Sequence, residues 1–149
     1  MNLLKKSQEK VNSPSFILKT IFCSLVIVFT SIIVFRRYRF IFSYLIPISV
    51  IVVFPLCIAL IFLSIREKID RLLKKFLILT GASAIGIPIG VILHNLFYAL
   101  FIKLCGTNFW DRISVGDEPF FFILATIICP IAFLVGVIGS MVIFIRRES

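Results

Sequence analysis

Four long apolar runs constrain this chain more than any other feature. They are Phe16–Phe35, with Lys19 near its start, then Phe40–Ile65, Phe76–Ile102 and Phe120–Ile145. The second and fourth carry no charge, and the third is interrupted only by His94. A helix needs about 20 apolar residues to cross about 30 Å of hydrocarbon, and every run reaches that length. Unbroken runs also argue against a β-barrel, whose strands alternate in short segments. A soluble domain of 149 residues has too much surface to hide so many apolar side chains. Here 60% are hydrophobic, where about half is usual.

The expected fold class is therefore an all-α integral membrane protein: four transmembrane helices in a compact antiparallel bundle. The spans are expected at about 16–35, 40–65, 76–103 and 120–145. A tail covers 1–15, and residues 16–147 form a single membrane domain. Lysines before the first run resemble a signal peptide, but the run ends in Arg36 and Arg37 without a small-residue cleavage pattern. An uncleaved first span is expected.

The connections differ in character. RRYR, Arg36–Arg39, is short enough to force a tight hairpin. REKIDRLLKK, 66–75, reads as a short amphipathic surface helix or a continuation of the second span. Glu67 with Arg71 and Asp70 with Lys74 have the spacing of helical ion pairs. The loop over 104–119 has Gly106, Gly116 and Pro119 as breakers, and Phe109 and Trp110 as interfacial anchors.

The net charge of +9 sits in clusters beside the apolar runs, so nucleic acid is not an expected partner. With the N-terminus in the cytoplasm, the inner side holds Lys5, Lys6, Lys10, Lys19, Arg66, Lys68, Arg71, Lys74, Lys75, Arg146 and Arg147. The outer side then holds only Arg36, Arg37, Arg39, Lys103 and Arg112. The excess of Lys and Arg on one side predicts both ends inside. The arginines of RRYR run against that rule, and snorkelling to lipid phosphate accommodates them. A surplus of Ile over Leu and 17 Phe residues fit an AT-rich prokaryotic genome, hence a plasma membrane.

Small residues recur every four positions at Ala82, Gly86 and Gly90, and again at Ala132, Gly136 and Ser140. Such stripes let helix backbones approach closely and favour right-handed crossings near −40°. The two stripes are expected to face each other or a second protomer. Pro47, Pro55, Pro88 and Pro130 each remove a helical hydrogen bond and are expected to kink their spans.

The stripe of the third run, Ala82, Gly86 and Gly90, leads into a polar patch of His94, Asn95 and Tyr98, the candidate intramembrane site. Thr126, Ser140 and Tyr44 are potential partners, and Asp111 is a potential acid for His94. Asp117 and Glu118 are also within reach of that end. An ionisable group inside a membrane is a functional candidate by default, but a neutral histidine can also hydrogen-bond across helices and fix their register. A single histidine and no Cys-x-x-Cys argue against a metal site, and no catalytic residue or cofactor is assigned. The expected role is a non-catalytic membrane subunit or interaction protein, with lipid, a second copy or another membrane protein as partner. A permease, channel or carrier with a cavity near His94 is the alternative, and a membrane enzyme the third.

Overall fold

The computed structural model describes residues 14–35, 39–115 and 117–146, with side chains for 16–31, 51–115 and 117–146. Arg36 and Arg37 lie outside the described residues, and the side chains of Arg39, Tyr44 and Pro47 do too. Every described element is helical. In chain order these are α1 (Pro14–Phe35), α2 (Arg39–Arg66), α3 (Arg71–Cys105), α4 (Phe109–Arg112), α5 (Pro119–Ile123), a π-helical segment (Leu124–Ile128) and α6 (Cys129–Arg146).

Two helical stretches are long and apolar enough to cross a membrane: Arg71–Cys105, with 35 residues, and Pro119–Arg146, with 28. Phe16–Ser31 and Ile51–Arg66 are shorter apolar stretches. At 1.5 Å per residue α3 is about 50 Å long, well beyond a hydrocarbon core.

The connection before α3 is a break, not a separate amphipathic helix. The Asp70 carboxylate caps α3 by accepting from the Leu72 amide at 2.9 Å. Lys74 turns back and donates to the Ile65 carbonyl at 3.0 Å, in the last turn of α2. Capping one helix and closing the other satisfies orphan end groups, and it takes both residues away from the i,i+4 pairing that their spacing suggests. Arg71–Lys75 is then simply the start of α3.

α1, α2, α3 and α6 pack in a ring, each antiparallel to the next. Two aromatic contacts close it between α1 and α6. Phe29 stacks on Phe133 with centroids 4.2 Å apart, and Phe22 meets Phe144 edge-on at 5.7 Å. Inside lie Leu18, Leu25, Val53, Cys57, Leu60, Leu73, Leu77, Ala84 and Val137. Buried hydroxyls mostly turn to their own helix. Ser64 donates to Leu60 O, Thr80 to Phe76 O and Ser83 to Leu79 O. This satisfies the hydroxyl without a partner helix. Ser140 is buried with its Oγ unpartnered among the described residues.

The α3–α6 seam is the tightest. A Cβ built on Gly136 would lie 2.5 Å from Thr80 Oγ1, and one on Gly139 would lie 2.5 Å from the Phe76 ring. On α3, Gly86 meets Cys129 Sγ at 2.7 Å and Gly90 meets Ala125 Cβ at 2.9 Å in the same construction. Each small residue thus receives a larger neighbour or one other small one, and the two stripes do not meet glycine to glycine. These approaches recur from Phe76 to Gly90, about 20 Å of helix.

Ala82 does not take part, since it is exposed while Ser83 and Ala84 beside it are buried. Four residues advance an α-helix about 40° beyond one full turn, so an i,i+4 row winds off a straight seam. Gly81 serves another interface, where its Cβ would lie 2.8 Å from Ile61 of α2.

The prolines act unequally. α2 and α3 run on as helix through Pro55 and Pro88. Pro130 follows a π-helical segment, in which the Cys129 amide reaches back to Leu124 O. Proline has no amide hydrogen and crowds the carbonyl four residues earlier. The wider π turn absorbs that defect just before the ring.

Candidate functional site

His94 is on α3, facing the start of α5. The sequence there reads Asp117-Glu118-Pro119, an acidic cap followed by proline at the first helical position, which is a favoured helix start. Glu118 Oε1 accepts from Phe120 N at 2.9 Å, and Oε2 accepts from Phe121 N at 3.0 Å. Capping brings the carboxylate against α3, where it is only 6% exposed. Asp117 Oδ1 accepts from the Glu118 amide at 2.7 Å, so this second carboxylate is also held by the backbone.

The imidazole fits between these groups. Its Nδ1 is 3.0 Å from the Glu118 carbonyl oxygen and 3.3 Å from Glu118 Oε2. Its Nε2 is 3.5 Å from Asp117 Oδ2, which is half exposed. The Phe122 ring covers one side, 5.6 Å away between centroids. The ring therefore bridges two carboxylates and ties the α5 turn to α3.

Asn95 and Tyr98 do not share this cluster. Asn95 is exposed and donates to Val91 O of its own helix at 2.8 Å. Tyr98 stacks on Trp110, with ring planes 8° apart, and its carbonyl accepts from Trp110 Nε1 at 3.4 Å. Phe101 stacks similarly on Phe109 at 5.0 Å. α4 thus folds back along the end of α3, and Arg112 donates to the Cys105 carbonyl at 2.6 Å. Gly106 makes this reversal with φ of 94°, a conformation that suits glycine.

Among the partners suggested by the sequence, Thr126 turns to its own helix and donates to Phe122 O at 2.6 Å. The Asp111 main-chain carbonyl receives the Ser114 amide at 3.1 Å, which closes that turn. Asp117 and Glu118 take the place at His94. Glu118 also emerges as the cap of α5, a role legible in its place before Pro119. Trp110 becomes a buried anchor, 6% exposed. Among the described residues no group of three His, Cys, Asp or Glu side chains is arranged to hold a metal ion. All four cysteines are free, with Cys57 and Cys129 buried.

Chemically the cluster holds an imidazole between two carboxylates, one of which is a helix cap. The chain matches no family model, no characterised protein and no solved structure.

Proposed function

We propose that this chain is an integral membrane protein crossing the bilayer four times, with both ends in the cytoplasm. We read it as a non-catalytic membrane subunit or interaction protein of a prokaryotic plasma membrane. One observation carries this reading: polar groups along the long helices are mostly spent internally, while the outward surface is apolar. On α6, Ile131, Leu134, Ile138 and Ile145 are each more than half exposed. On α3, Ile92, Leu96 and Leu104 are too. Lipid or an apolar partner helix is the medium such faces require.

Charge supports the orientation. Arg66, Lys68, Arg71, Lys75 and Arg146 are exposed at one end of the ring, and Lys19 lies there over the Phe144 ring at 5.4 Å. The His94 cluster marks the other end. With Lys75 at the inner boundary, about 20 residues of α3 reach His94, so the hydrocarbon ends near the imidazole. The rest of α3 and the aromatic pairs with α4 then sit among headgroups, where Trp and Tyr are favoured.

A carrier would need His94, Asn95 and Tyr98 to line one cavity. Their separate engagements give that alternative less support.

The experiment is site-specific photocrosslinking in native membranes. Probes at Ile131 and Ile138 should trap a discrete protein species, a second copy or another membrane protein, while a probe at buried Val137 should trap only this chain's own helices. Only lipid adducts at the outward positions, with a monomer in mild detergent, would refute the subunit reading.

A further inference from the structure

Proton accounting at His94 leads beyond a static register pin. A neutral imidazole has one N–H and one bare lone pair. The Glu118 main-chain oxygen, 3.0 Å from Nδ1, can only accept, so Nδ1 carries a hydrogen. In a neutral ring the bare Nε2 would then lie 3.5 Å from Asp117 Oδ2. That carboxylate is not free to avoid the encounter at no cost, because its Oδ1 holds the Glu118 amide. Each ring nitrogen therefore lies near an oxygen that can only accept, so a hydrogen on either one would meet an acceptor.

We propose that His94 is a protonation-dependent latch for the turn at Asp117 and Glu118. As imidazolium it clamps Asp117 and Glu118 to α3. When Nε2 loses its proton, the Asp117 contact becomes repulsive and that arm releases. Nδ1 keeps its bond to the Glu118 carbonyl, so α5 stays capped and seated while the Asp117 side chain is freed. Among the described residues, the charged groups facing the ring are Asp117 and Glu118, both from the turn before α5. The Phe122 face comes from α5 itself. On α3, Asn95 and Tyr98 are turned to Val91 and Trp110. Trp110 is placed to sense the release, because Val115, two residues before Asp117, donates its amide to the Trp110 carbonyl at 3.3 Å. The inference does not depend on the number of membrane crossings.

The chain has one histidine and one tryptophan, so each reports alone. Purified full-length protein in micelles, labelled with ¹⁵N-histidine, gives the protonation of each ring nitrogen by NMR. Both nitrogens should be protonated at low pH, and raising the pH should remove the Nε2 proton while Nδ1 keeps its own. Trp110 emission should shift to the red over the same interval. Asp117→Asn offers an amide N–H to the neutral ring, so the latch should hold and the emission should stay unchanged with pH. His94→Gln should also abolish the emission change. A neutral ring protonated on Nε2 would overturn the proposal, as would Trp110 emission indifferent to the His94 titration in the unaltered protein.

Discussion

Gly136 of α6 lies so close to Thr80 of α3 that a Cβ there would sit 2.8 Å from the Thr80 main-chain nitrogen. The obstacle is backbone, which cannot swing aside as a long side chain would. Overpacking of this kind costs about 1–3 kcal/mol. Gly136→Ala should therefore lower the stability of the folded protein in detergent by about that amount. Ala82→Leu, in the stripe by spacing but exposed, should stay within about 0.5 kcal/mol. Loss of helicity on titration with a denaturing detergent compares the two, and equal effects would mean that α3 presents another face to α6.

Gly86 offers a different test, because the atom that crowds it is the Cys129 Sγ. Removing that sulfur makes room. Gly86→Ala should be destabilising alone and markedly less so in a Cys129→Ala background, with a coupling of about 0.5–3 kcal/mol between the two changes. Additive effects would show that the two residues do not touch.

Glu118 joins two functions, capping α5 and receiving His94. Glu118→Ala should cost about 0.5–2 kcal/mol through the lost cap. Hydrogen exchange should speed up at the amides of Phe120 and Phe121, which now donate to that carboxylate. Glu118→Gln keeps an acceptor oxygen and should cost less. Unchanged exchange at both amides in the alanine variant would contradict the cap.

The long apolar helices were legible because length and hydrophobicity act without regard to tertiary detail. Interfaces were only half legible. Gly86, Gly90 and Gly136 do face a neighbouring helix closely, yet Ala82 drops out because an i,i+4 row winds around the helix. Gly81 and Gly139 lie off those rows, so spacing alone passed over them, although both are close-contact positions. At the candidate site His94 stood out as a solitary ionisable group. Its partners depended on where the loop turns. α4 folds onto Tyr98 and Phe101, which leaves the acidic cap of α5, with Asp117 beside it, to meet the imidazole. The π segment needed the backbone itself, since proline announces a defect without saying how the helix absorbs it.

The central claim is that the ring of helices sits in a membrane with its basic end in the cytoplasm. Cys105 is exposed at the opposite end, Cys57 and Cys129 are buried, and exposed Cys23 lies on the flank of α1. Intact cells producing the chain can be treated with a membrane-impermeant maleimide, before and after permeabilisation. The account predicts labelling of Cys105 in intact cells and its loss in Cys105→Ser. Labelling of Cys105 only after permeabilisation would contradict the orientation, and recovery of the chain in the soluble fraction would contradict the membrane itself.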